Sequence, residues 1–287
     1  MTFSHELKFQ RAGTHLKEIE GFGNAWCGGN HHSIRSERDG NGDLTFLASA
    51  DPVPLDFGLL IGECLHNLRS GLDNLAYSLA VAYTKPLPED FAESSEFPIF
   101  GDRDKQGNVG VGAARFNETT QRGDPTRGSG LYKIRGWPRG AQAIVEGLQP
   151  YHRGNAFEQD PLWVLHELDR VNKHRLLHSC VAASEATTVD FGKSNVATIT
   201  ARVPGVLGAI QSLGGPIEAD TPIFRLVRLD PQPRDRSKPM NMEIQPALHI
   251  AFASGTPVVE LKPVYAALAA VHTYVIGTVL PALVPYL

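Results

Sequence analysis

The sequence predicts an α+β fold: an antiparallel helical bundle of about four core helices, with a small, mostly antiparallel β-sheet inserted before the C-terminal helix. Three observations lead there. First, Ile61, Leu65, Leu68, Leu72, Leu75, Leu79 and Ala82 keep an alternating four-three spacing, which draws one apolar stripe down a long helix. Second, helical patterning recurs over 3–27, 160–183 and 263–280, so the central helix at 54–83 has three partners. Third, the period changes over 186–256, where β-branched residues alternate in short runs. The chain has 287 residues and reads as a single domain.

In order, residues 3–27 line Leu7, Ala12, His15, Leu16, Ile19, Phe22 and Trp26 along one side, and Gly28-Gly29 ends the helix. Ser33–Ser36 and Leu44–Leu47 flank Asp39-Gly40-Asn41-Gly42, strong turn chemistry for a hairpin. Pro52 and Pro54 open the central helix and Lys85-Pro86 closes it. Glu96–Phe100 is a short extended piece with two apolar aromatics. The stretch 101–138, rich in Gly, Arg and Asp, reads as a long mobile loop. A short helix over Arg139–Gln149 leads to Pro150-Tyr151-His152. Asp160 suits an N-cap and Pro161 the first helical position of the next long helix. Strands are predicted at Thr187–Phe191, Val196–Val203, Ile223–Leu229 and Met242–Phe252, with turns at Gly214–Pro216 and Pro231–Pro239. From Pro263 to Leu287 there is no Lys, Arg, Asp or Glu. His272, the threonines and Pro281 argue for a helix buried on most sides over a membrane anchor.

Composition narrows the function classes. Hydrophobic residues make up 42%, enough for a sizeable core and against global disorder. A formal net charge of −4 argues against a DNA-coating protein but permits local basic patches. Cys27, Cys64 and Cys180 are scattered, which predicts reduced thiols and a cytoplasmic protein. The charged first turn shows no export signal.

Two polar rows carry the chemistry. His66, Arg69, Ser70, Asp73 and Tyr77 border the central stripe, and His166, Asp169, Arg170, Asn172, Lys173 and His174 crowd the later helix. Neighbouring helices would let these rows meet, as Arg69 with Asp169 or Asp73 with Lys173 or His174. Buried charges must be mutually satisfied. The rows therefore read either as an ion-pair lattice that sets helix register or as a cleft for acid–base chemistry. The candidate catalytic residues are Arg69, Asp73, Asp169, Asn172 and His174, with His174 as general base in a cleaving version. Glu63 and His66 have E-x-x-H spacing and His174 and His178 lie one turn apart, so a metal site is a further alternative. His31-His32 beside the hairpin reads as solvated. No cofactor fingerprint, P-loop or nucleophile elbow occurs.

The phrases HNLRSGLDNLAY (66–77) and LHELDRVNKHRLLH (165–178), joined through EFPIF (96–100) and LQPY (148–151), resemble a widespread group of uncharacterised bacterial proteins. More distantly, the central helix resembles the HEPN superfamily of helical bundles. That likeness implies a nucleic-acid-binding or RNase-related module of defence or toxin systems, with Arg69 at the position of the family's arginine. The family's histidine would fall at 74–76, where this chain has Asn74, Leu75 and Ala76. The expected partner is RNA or a nucleotide, held by the cleft and by the basic stretch 101–139, with Tyr132 and Trp137 as stacking groups. No membrane partner is expected, and a homodimer is. The competing expectation is a non-enzymatic binding or assembly protein.

Overall fold

The computed structural model describes residues 4–40, 44–104, 107–174, 178, 180–190, 210–212, 215–217, 219–226 and 243–287. The fold is α+β. Four long helices form the bundle: α1 (Ser4–Gly28), α2 (Leu55–Tyr83), α7 (Pro161–His174) and α8 (Val264–Tyr274). Short helices α3 (Glu89–Ser94), α4 (Gly112–Phe116), α5 (Gly130–Lys133) and α6 (Arg139–Gly147) lie between α2 and α7, followed by a 3-10 segment, Pro150–Gln159.

The contacts fix the directions of the long helices. Between α1 and α2, Phe22 stacks on Phe57, His15 meets Glu63, Cys64 lies against the Ala12 carbonyl and Gly71 faces Phe9. One number falls as the other rises, so these helices are antiparallel. Gly62 faces Asn172 and His66 faces Asp169, so α2 and α7 are antiparallel too. Gly13 faces His272 in α8, which also packs on α1 and α7. The α2 stripe supplies the centre: Ile61, Leu65, Leu68, Leu72, Leu75 and Leu79 are fully buried. Burial of side chains of this size stabilises by roughly 1.5–3 kcal/mol each.

The strands form two antiparallel sheets. β1 (His32–Arg38) and β2 (Leu44–Ala50) make the expected hairpin. β6 (Thr221–Leu226) pairs with β2 and β4 (Ile210–Ser212) with β6, giving the order β1-β2-β6-β4. The second sheet runs β5-β3-β7, with β5 at Gly215–Pro216, β3 at Cys180–Asp190 and β7 at Glu243–Phe252. The inserted β region is thus shared between two sheets, one of them completed by the N-terminal hairpin.

Several expectations need correcting. Of the helix expected over 160–183, Pro161–His174 is α, but Cys180–Ala183 is strand paired with His249–Phe252. A short apolar run such as Cys180–Ala183 has no period that separates helix from strand. Gly215-Pro216 pairs with β3 and is not a turn. The stretch 101–138 is not a bare loop. It carries α4, α5 and two β-bridges, and it buries Phe116, Ile134 and Trp137 in the core. The expected strand at Val196–Val203, the loop at Pro231–Pro239 and the Asn41-Gly42 turn lie outside the described residues.

The C-terminal helix departs from expectation as well. It continues from α8 through a π turn, Val275–Val279, into α9 (Leu280–Leu283) and a 3-10 turn, Val284–Tyr286. The π turn lies just ahead of Pro281, whose ring removes one N–H donor from the ladder. Val264, Leu268, Val271, Val275, Val279 and Leu283 make one buried face, so the helix is covered on one side and not on most. By length and composition Val264–Tyr286 could cross a membrane, and 28% of its most apolar window is buried.

Candidate functional site

The polar rows of α2 and α7 do lie side by side, but their pairing is not the expected one. Arg69 is 8% exposed. Its Nη2 donates to the Phe97 carbonyl at 2.9 Å and meets Asp73 Oδ1 at 3.0 Å. The same Asp73 oxygen accepts the Phe97 N–H at 3.0 Å. One ion pair thus satisfies both backbone groups of Phe97, whose ring is fully buried. Residues 96–100 form no strand, so their polar groups need such partners.

Gln149 completes the arrangement. It accepts the Phe100 N–H at 2.9 Å and donates to the Pro98 carbonyl at 3.0 Å and the Val145 carbonyl at 2.9 Å. Tyr151 N–H donates to the Phe100 carbonyl at 3.2 Å. Three of the four sequence phrases therefore converge on one feature. Segments 66–77 and 148–151 hold the extended piece 96–100 against the bundle.

Asp169, 4% exposed, pairs with Lys173 at 2.7 Å, and its other oxygen lies 3.9 Å from His66 Nδ1. The expected Arg69–Asp169 bridge does not form, because Arg69 is taken by its own helix and by Phe97. Asn172 rests on Gly62, where a Cβ would come within 2.3 Å of its amide oxygen. His174 occupies the last turn of α7, and its side chain lies outside what is described. Residue 174 is eight positions beyond His166, about 12 Å along the helix. His166 is the imidazole that faces Arg69.

The electrostatics follow from this packing. Burial, and then the Arg69 charge, push the His166 pKa down to about 4. Burial raises the Asp73 pKa and outweighs Arg69 and the Phe97 N–H. Burial would also raise that of Glu96, but Lys133, joined by Arg69 and His166, outweighs it and holds the carboxyl below its ordinary range. The cluster at this end of the seam is therefore Arg69, Asp73, Glu96, Lys133 and a neutral His166.

The other end opens. Lys8, Arg11 and His15 of α1, with Gly62, Glu63, His66 and Asn67 of α2 and Asn172 of α7, line a groove of about 460 Å³. His15 is buried and its Nδ1 lies 2.8 Å from Glu18, its Nε2 3.6 Å from Glu63. Glu63 thus faces a histidine. Among the described residues, no group of three His, Cys, Asp or Glu side chains is placed to hold a metal ion. Lys8 and Arg11 played no part in the sequence reading. Their signal was present: Lys8, Arg11 and His15 keep the same three-four spacing as the row on α2.

Part of the basic stretch is committed elsewhere. Arg103 pairs with Glu158 at 3.1 Å, Lys133 with Glu96 and Arg135 with Asp90. Arg135 also covers the rings of Phe91 and Tyr132 at 4.1 and 3.7 Å. Trp137 is 4% exposed and belongs to the core. Trp137 therefore offers no open ring face for base stacking, and one face of the half-buried Tyr132 is covered by Arg135.

No protein-family model matches this chain, and neither the curated proteins nor the solved structures provide a match. The site stands on its own geometry.

Proposed function

We propose that this protein is a nucleic-acid-binding helical module whose contact surface is the open end of the seam between α2 and α7. One observation carries the reading: Lys8 and Arg11, without an ion-pair partner among the described residues, look onto the groove that His66 and Asn172 also line, while the buried half of the seam is fixed by internal bonds. A polyanion supplies those two cations with partners.

The reading is one of binding and not of strand cleavage. Arg69 is spent on Phe97 and Asp73, and its Nη1 is shut off from solvent. An imidazole that titrates near 4 is a weak base at neutral pH. A labelled single-stranded RNA, titrated with the purified protein at rising salt, tests the proposal. Two or three phosphate contacts would weaken binding roughly ten-fold between about 50 and 200 mM salt. Absence of RNA binding at low salt removes it.

A second reading has its own support. The Arg69–Asp73 pair and Gln149 act as backbone clamps, as expected for a non-enzymatic assembly protein with structural polar rows. That reading expects the seam variants to lose stability without any change in RNA affinity.

A further inference from the structure

We propose that the groove between α1, α2 and α7 is a nucleoside-phosphate site, with Lys8 and Arg11 on the phosphate and the Asn172 amide on the base. This deepens the nucleic-acid reading of the same seam and rests on it for the choice of ligand.

Charge accounting gives the ligand its sign. Glu63, half-exposed in the groove, lies 3.6 Å from His15, which Glu18 meets at 2.8 Å, and Asp169 is paired with Lys173 at 2.7 Å. Among the described residues neither Lys8 nor Arg11 has an ion-pair partner, so two cations face the single Glu63 carboxylate and the groove keeps positive charge for an anion. The two cations lie one helical turn apart on α1 and look onto one volume. A phosphate takes charge-assisted hydrogen bonds from both, and an arginine can grip two of its oxygens at once.

Size and polarity narrow the class further. A volume of about 460 Å³ falls in the usual range for small-ligand sites and exceeds what a bare phosphate fills. The lining adds an amide and imidazoles to the cations. Asn67 is engaged, its amide donating to the Glu63 carbonyl at 2.8 Å. The Asn172 amide has no hydrogen-bond partner among the described residues, so its donor and acceptor are free for a base edge. Gly62 makes room for that amide, since a Cβ there would collide with it. The phosphate ester can be a free nucleotide or one residue of an RNA strand.

The experiment measures binding of inorganic phosphate, a mixture of nucleoside monophosphates and a short labelled single-stranded RNA to the full chain. The variants are the double charge reversal Lys8→Glu/Arg11→Glu, the near-isosteric Asn172→Asp, and Lys17→Glu as control. Lys17 is exposed on the same helix but points away from the groove. Thermal melts confirm that each variant folds. The proposal expects monophosphate binding, competition by inorganic phosphate and a loss of roughly ten-fold or more in the double variant. It expects a smaller loss in Asn172→Asp and none in Lys17→Glu. RNA binding lost in the double variant, with no monophosphate binding, assigns the site to the polymer. Equal binding by wild type and double variant, equal loss in Lys17→Glu, or no binding of any probe overturns the proposal. RNA binding that survives the double variant ends this inference and leaves the nucleic-acid reading standing. Monophosphate binding without RNA binding does the reverse.

Discussion

The Arg69 guanidinium donates to the main-chain carbonyl of Phe97, twenty-eight residues along the chain, at 2.9 Å. With Asp73 receiving the Phe97 N–H, an ion pair one helical turn long replaces a strand partner. Removing either side chain leaves a buried peptide group and a charge unmatched. Arg69→Ala is expected to cost about 3 kcal/mol, seen as a lower urea midpoint. Arg69→Lys keeps the charge but loses the fork and should cost less. An unchanged midpoint in Arg69→Ala would remove the clamp from this account.

Gln149 tests the same idea without charge. Its side chain satisfies the Phe100 N–H and the carbonyls of Pro98 and Val145. Gln149→Leu fills a similar volume and strands all three, so a loss of about 2–4 kcal/mol is expected. Gln149→Glu keeps the acceptor and loses the donors, and should fall between wild type and Leu. Melting curves in the order wild type, Glu, Leu check this.

Two glycines of α2 should respond differently to alanine. At Gly71 a Cβ would come within 2.4 Å of the Phe9 ring, in the closed interface with α1. Overpacking there costs about 1–3 kcal/mol, against a helix-propensity gain of about 1. Gly71→Ala should therefore lower the melting temperature. At Gly62 the obstacle is the end of the Asn172 side chain, which can swing outward. Gly62→Ala should stay within about 0.5 kcal/mol of wild type while altering the groove.

His166 makes stability depend on pH. Its folded pKa of about 4 lies below its ordinary value of 6.5, so folding favours the neutral ring. The contribution is whole above about pH 6.5 and lost as the pH falls towards 4. The slope is at most about 1.4 kcal/mol per pH unit. Burial lowers His5, His178 and His272 in the same sense, so the wild-type curve contains them all. The difference between wild type and His166→Gln isolates one ring. A difference that does not vary between pH 6.5 and 4 would place His166 in solvent.

Periodicity made the bundle legible. The leucine stripe of α2 and the Asp160-Pro161 start of α7 could be read because cap chemistry and the 3.6-residue period are local. Asp160 does cap α7, accepting the Leu162 N–H at 2.8 Å. The seam was legible only as two rows, since which residues face each other depends on axial register. That register sets His166, and not His174, opposite Arg69. It also lets Arg69 find a backbone carbonyl instead of Asp169. The basic stretch misled because its apolar anchors are few and far apart: Phe116, Ile134 and Trp137 follow no period. The division of the strands between two sheets rests on pairing across more than 170 residues, as in Thr45 with Arg225, which no local pattern encodes.

RNA affinity by fluorescence anisotropy, wild type beside Arg11→Glu and Arg69→Lys, decides whether the open end of the seam is the contact surface. Salt-sensitive binding should be weakened by Arg11→Glu and left alone by Arg69→Lys, because only Arg11 lines the groove. Binding that is absent at low salt, or lost on changing Arg69 while Arg11→Glu has no effect, would contradict the proposed function.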